Sequence, residues 1–69
     1  MPRVARQELS PRELEVLGWA AEGKSCAETA MILFIGEGTV VFHRRNAVRK
    51  LDVCNMIQAV AVAIRRGLI

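Results

Sequence analysis

The sequence predicts an all-α fold of four helices, and three observations carry that expectation. Two segments, Ser10-Pro11-Arg12-Glu13 and Ser25-Cys26-Ala27-Glu28, have the pattern of a capping box, in which a serine hydroxyl and a glutamate three residues later satisfy backbone N–H groups at a helix start. Apolar residues after each box recur at helical spacing. The length of 69 residues sets the third constraint: so small a domain hides only about 60% of the surface its unfolded chain exposes, which calls for a simple, locally built core.

The first helix is expected over residues 11–22. Ser10 caps it, Pro11 suits its first position, and Leu9 with Leu14 has the spacing of a hydrophobic staple. Its inward face reads as Leu14, Leu17, Gly18 and Ala21, and Gly23 is placed to end it in a left-handed conformation. The second helix, 26–33, opens on the Ser25–Glu28 box with Thr29, Ile32 and Leu33 inward and Ala30 close by. Phe34, Ile35 and Gly36 leave room only for a tight turn before a third helix over 37–51. A short helix, a tight turn and a longer helix make a helix-turn-helix pattern.

The third helix carries Arg44, Arg45, Arg49 and Lys50. Its inward stripe is Val40, Ala47 and Leu51, so about 100° per residue puts Val41, Arg45 and Arg49 on the opposite side, flanked by Gly38, Phe42 and Val48. Asp52 and Val53 break the pattern. Asn55, with Gln58 three residues later, caps a fourth helix over 56–66 that Gly67 stops. This helix has apolar residues on more than one face, Ile57, Val60, Ala61 and Ile64 among them, which is more than one core stripe requires. The spare face is a candidate dimer surface.

Composition narrows the function. With 52% hydrophobic and 25% charged residues the chain reads as a globular domain, residues 9–69, behind a flexible tail, 1–8. No apolar run approaches the roughly 20 residues of a membrane span, and no signal-peptide core precedes the domain, so no membrane role and a cytoplasmic location are expected. Net charge is +3, but residues 1–37 hold four basic against six acidic side chains while residues 38–69 hold six basic against Asp52 alone. A positive field confined to one half suits phosphate attraction by one face.

Catalysis is not expected. His43 is the only histidine, and Ser10, Ser25, Cys26 and Cys54 have no base and orienting acid within one plausible cleft. The two cysteines lack the close spacing of a metal or redox site and read as reduced thiols, so neither cofactor nor metal is called for. Trp19, Met31 and Met56 read as packing, since 4% aromatics without tyrosine is too sparse for single-strand stacking.

With these residues laid out, the chain resembles the DNA-binding domain of LuxR-type transcription regulators, particularly the quorum-sensing branch. The match runs from Leu9 to Ile69 and rests on LSPRELEVL, Trp19, AEGKS, TVVFHRRNAVRKLDV and the closing AIRRGLI, in order. The resemblance implies a four-helix LuxR-type helix-turn-helix domain that binds double-stranded DNA as a homodimer on a two-fold symmetric site, paired through the fourth helix. RNA polymerase is a further candidate partner. Val41, Phe42 and Arg45 match positions that read bases. Lys24, Thr39, His43 and Lys50 match phosphate-contacting or supporting positions, and Ser25 and Arg49 join them as backbone candidates. Glu13 matches a glutamate that braces the fold.

Two departures stand out. Val41 occupies a usually polar or basic position; it cannot hydrogen-bond a base but can touch a thymine methyl. Gly36 and Gly38 replace a serine cap and a larger polar residue, and Gly38 inside the first turn costs about 1 kcal/mol relative to alanine. Regulators of this type also carry an upstream sensor that eight residues before Leu9 do not provide, so no small-molecule ligand is expected here. The chain is either an excised effector domain or a solitary one. DNA binding is the leading expectation, and the alternative is an interaction module that pairs through its fourth helix with full-length regulators and blocks them.

Overall fold

The computed structural model describes residues 8–69, so of the expected tail only Glu8 falls within it. Four helices follow in chain order: α1 (Pro11–Ala21), α2 (Cys26–Leu33), α3 (Glu37–Leu51) and α4 (Met56–Arg65). α1 and α4 each stop one residue earlier than their sequence pattern suggests, because Glu22 and Arg66 have ψ near 0° and act as C-caps.

Both capping boxes form. The Ser10 amide donates to Glu13 Oε1 at 2.9 Å while the Glu13 amide donates to Ser10 Oγ at 3.1 Å. Ser25 and Glu28 repeat the exchange at 2.8 and 3.1 Å. α4 is capped differently: Asn55 Oδ1 accepts from the Gln58 amide at 2.9 Å, and Gln58 Oε1 accepts from the Cys54 amide at 2.8 Å. Gly36 offers α3 no side-chain cap.

Every helix then closes by the same device. Lys24, Ile35, Val53 and Leu68 donate their amides to the carbonyls of Trp19, Ala30, Val48 and Ala63, five residues back, at 3.0, 3.1, 3.2 and 2.8 Å. Such a closure needs a left-handed residue just before the donor. Gly23 and Gly67 supply it freely at φ 87° and 73°, but Phe34 and Asp52 adopt it at φ 58° and 59° with a side chain attached.

Packing divides the core in two along α1. Val16 joins Ala30 of α2 and Val40 of α3, with Cys26, Leu33 and Ile35 against them. Leu17 joins Ala47 and Leu51 of α3 and Ala59 and Ala63 of α4. The alanines let α3 and α4 approach closely, and the stripe Val40, Ala47, Leu51 lies buried as its spacing requires. Burial in α1 is rotated from the expected face: Val16 and Glu13 are inside, Leu14 and Gly18 half-buried, Ala21 exposed. Thr29 is fully buried with its hydroxyl donating to the Ser25 carbonyl at 2.8 Å.

Three packing expectations are corrected. Ile32 is exposed, because the eight-residue α2 can turn only the Thr29–Ala30 side to its neighbours. Met31 projects into solvent, 76% exposed, on the side of α2 away from those residues. Trp19 is half-buried and lines a shallow groove with Glu15, Gly18 and Glu22 outside both core clusters.

Candidate nucleic-acid interface

α3 leaves α2 at a bend of 109°, within the 90–120° range of helix pairs that seat a reading helix. Its buried stripe anchors it, and rotation about the axis brings the remaining positions out. Arg45, Arg49, Thr39 and Gly38 are exposed, Phe42 is 59% exposed, and Val41 is half-buried at the edge of the protruding face. Of the expected line, Arg45 and Arg49 are therefore outward, while Val41 sits half-buried at its edge against Cys26 of α2 and Met56 of α4. Arg45 forms no ion pair or hydrogen bond among the described residues, and neither does the ammonium of Lys24.

The loop before α2 is tied to this helix. Arg44 Nη2 donates to the Lys24 carbonyl at 2.9 Å, across 20 residues of sequence. That bond fixes Lys24 and the N-terminus of α2 relative to the cationic face, while Arg44 Nε is buried without a partner. Sequence reasoning gave Arg44 no role. No local spacing signals a contact between a side chain and a carbonyl that far upstream. Beside it, the Phe42 and His43 rings meet edge to face at 5.7 Å and 63°.

Lys50 is placed differently from the other cations. Its ammonium lies 2.9 Å from Glu13 Oε1 and 3.5 Å from the Glu8 carbonyl, with 18% of the side chain exposed. Burial works against ionisation of Glu13, but the Ser10 amide and Lys50 outweigh it and hold the carboxyl below its ordinary range. Lys50, expected at a phosphate-contacting or supporting position, is thus engaged with Glu13. Ser25 Oγ serves the α2 cap, leaving its hydroxyl proton free to donate outward. Arg49 holds only a long contact, 3.5 Å, to Asn46 Oδ1.

Along one flank of α3 runs a cleft of about 340 Å³. Apolar Cys26, Val41, Val48 and Met56 line it together with Arg44, Arg45 and Arg49, and no carboxylate does. α4 exposes Ile57 (83%) and Ile64 (56%) with Ala61 between them and Val60 half-buried beside them. These are the residues expected to form a dimer face, and Ile57 and Val60 share a shallow groove with Lys24 and Arg44. Among the described residues no cluster of histidine, cysteine and carboxylate groups has metal-binding geometry, and no single helix is long and apolar enough to cross a membrane.

Comparison with known proteins places this geometry. The family described as bacterial regulatory proteins, luxR family, matches residues 7–63. The quorum sensing-dependent transcriptional regulator RpaR of Rhodopseudomonas palustris is 52% identical over 66 residues, covering 96% of this chain and 27% of the relative. The quorum-sensing regulator RhlR of Pseudomonas aeruginosa is 51% identical over 61 residues, covering 88% of this chain and 25% of the relative. The chain thus spans about a quarter of the length of the curated relatives it matches. In crystal structures, Escherichia coli SdiA superposes with a TM-score of 0.85 at 44% identity over 96% of this chain and 28% of that one. The response regulator ChrA of a heme-sensing two-component system gives 0.86 at 39% identity over 100% of this chain and 33% of that one.

Proposed function

The chain belongs to the luxR family of bacterial regulatory proteins, and from that premise we propose that it binds double-stranded DNA sequence-specifically, with α3 in the major groove, to regulate transcription in the cytoplasm. The observation that carries this reading is the free, exposed guanidinium of Arg45 beside Val41 and Phe42 on the protruding face of α3. In this reading Val41, Phe42 and Arg45 face base edges, while Lys24, Ser25, Thr39, His43 and Arg49 hold the sugar-phosphate backbone. Lys50 supports the site through Glu13. A two-fold pair joined by Ile57, Val60, Ala61 and Ile64 of α4 would set two such helices on a symmetric site.

Titration with duplexes selected from a random pool, at several salt concentrations, tests the proposal. Affinity should fall steeply with salt as phosphate contacts release counterions. Arg45→Ala should weaken the selected site by about 1–3 kcal/mol and random DNA far less, whereas Lys24→Ala should weaken both alike. Equal losses on both duplexes for Arg45→Ala would demote it to a backbone contact, and salt-independent binding would refute the reading.

A further inference from the structure

The reading face of α3 is unusual in what its first turns lack. Gly36 and Gly38 bring no side chain, and a Cβ built at Gly38 would meet nothing within 4 Å. The next outward positions are Val41 and Phe42, neither of which carries a hydrogen-bonding group. Thr39 is exposed but lies roughly 120° around the axis from Arg45. Arg45 is therefore the first outward side chain able to donate to a base edge.

What the first turns do offer is apolar surface. Val41 lines the cleft with Val48, Met56 and Cys26, while the Phe42 ring, braced against His43, is exposed on the other side. In the major groove the base group that fits such a surface is the methyl at C5 of a pyrimidine. Resting on the proposed DNA-binding role, we infer that the N-terminal half of α3 is a binding site for the 5-methyl group of a pyrimidine, and that it prefers thymine and 5-methylcytosine to unmethylated cytosine. Four residues separate Val41 from Arg45, a rise of about 6 Å. With bases about 3.4 Å apart along the duplex, the methyl group sits roughly two base steps from the base edge that Arg45 faces in the proposed reading. Recognition of a methyl group instead of a hydrogen-bond pattern makes this domain responsive to cytosine methylation within its own site.

The test uses the 69-residue chain and a duplex recovered by selection from a random pool. Each thymine is replaced in turn by deoxyuridine, which removes the methyl and keeps the base pair, and binding is read by fluorescence anisotropy. One position per half-site should lose roughly fourfold, the worth of about 0.8 kcal/mol for one buried methyl. At that position cytosine should bind weakly and 5-methylcytosine should recover most of the loss. Val41→Ala should narrow the difference between the thymine and deoxyuridine duplexes, with a cooperative thermal melt certifying its fold. Specific binding that no deoxyuridine substitution weakens would overturn this inference and leave the proposed function standing. Failure to select any duplex would overturn both.

Discussion

Replacing Lys50 by methionine isolates the one buried ion pair among the described residues. The Glu13 side chain is 5% exposed and that of Lys50 18%, with 2.9 Å between their charges. At an effective dielectric near 20 such a pair attracts by about 5–6 kcal/mol, set against a desolvation cost of several kcal/mol per ion. Removing lysine abolishes the attraction and leaves the carboxylate's desolvation in place. Breaking a buried pair in this way typically costs about 3–5 kcal/mol. The retained Ser10 amide and the partial exposure of Lys50 bring the expectation for Lys50→Met to about 2–3 kcal/mol. A domain of this size has only about 3–10 kcal/mol in total.

The effect has a pH signature. Glu13 is depressed below its ordinary value near 4.5, so its contribution is present above that value and lost as pH falls through the depressed one. In the variant no cation opposes burial, and protonation relieves the penalty as pH falls. The gap between the two proteins should therefore be full at pH 7 and narrow towards about pH 4. Urea unfolding followed by circular dichroism at both pH values measures it. A gap below about 1 kcal/mol at pH 7, or one unchanged by acid, would refute the ion-pair reasoning.

Two further outcomes follow from exposed apolar side chains. Phe34 holds φ 58° while 92% exposed, so Phe34→Gly should gain about 0.5–1 kcal/mol after glycine's own chain entropy is set against the relieved strain, seen as a melting temperature higher by a few degrees. Ile57→Ser with Ile64→Ser should leave the melt nearly unchanged but convert cooperative binding of two half-sites, followed by sedimentation on DNA, into independent binding; retained cooperativity would remove α4 as the pairing surface.

Sequence legibility followed the range of the interactions. Helix starts were readable because Ser10–Glu13, Ser25–Glu28 and Asn55–Gln58 are contacts three residues apart, and all three form. The outward line of α3 was readable because Val40, Ala47 and Leu51 fix its phase unambiguously. α1 was phased less well: Val16 and Glu13 are buried and Leu14 half-buried, because the groups that cover them, Ala30, Val40 and Lys50, come from α2 and α3 and leave no trace in the periodicity of α1. Phe34 was legible as part of a tight turn but not as a left-handed residue, since no local preference of phenylalanine favours that conformation. Arg44 and Lys50 bond to residues 20 and 37 positions upstream, and such partners are set by tertiary packing that no periodicity encodes.

These long-range bonds also explain how so small a domain holds α3 steady. α3 lacks a side-chain cap at Gly36 and carries Gly38 in its first turn, so its N-terminal end gains little from local structure. Its stability must come from the sides, and the contacts are distributed accordingly. Val40 locks it to α1 and α2, Arg44 to the loop before α2, Ala47 and Leu51 to α1 and α4, and Lys50 to the capping box of α1. Each anchor lies on the side of α3 opposite or beside Arg45 and Arg49, none of them on it. The cationic face can then remain unpartnered within the domain without loosening the helix. Clustered charge of one sign is unfavourable by itself and becomes tolerable where a polyanion neutralises it. In the proposed reading, a phosphate-lined groove completes this arrangement of an anchored back with a free positive front.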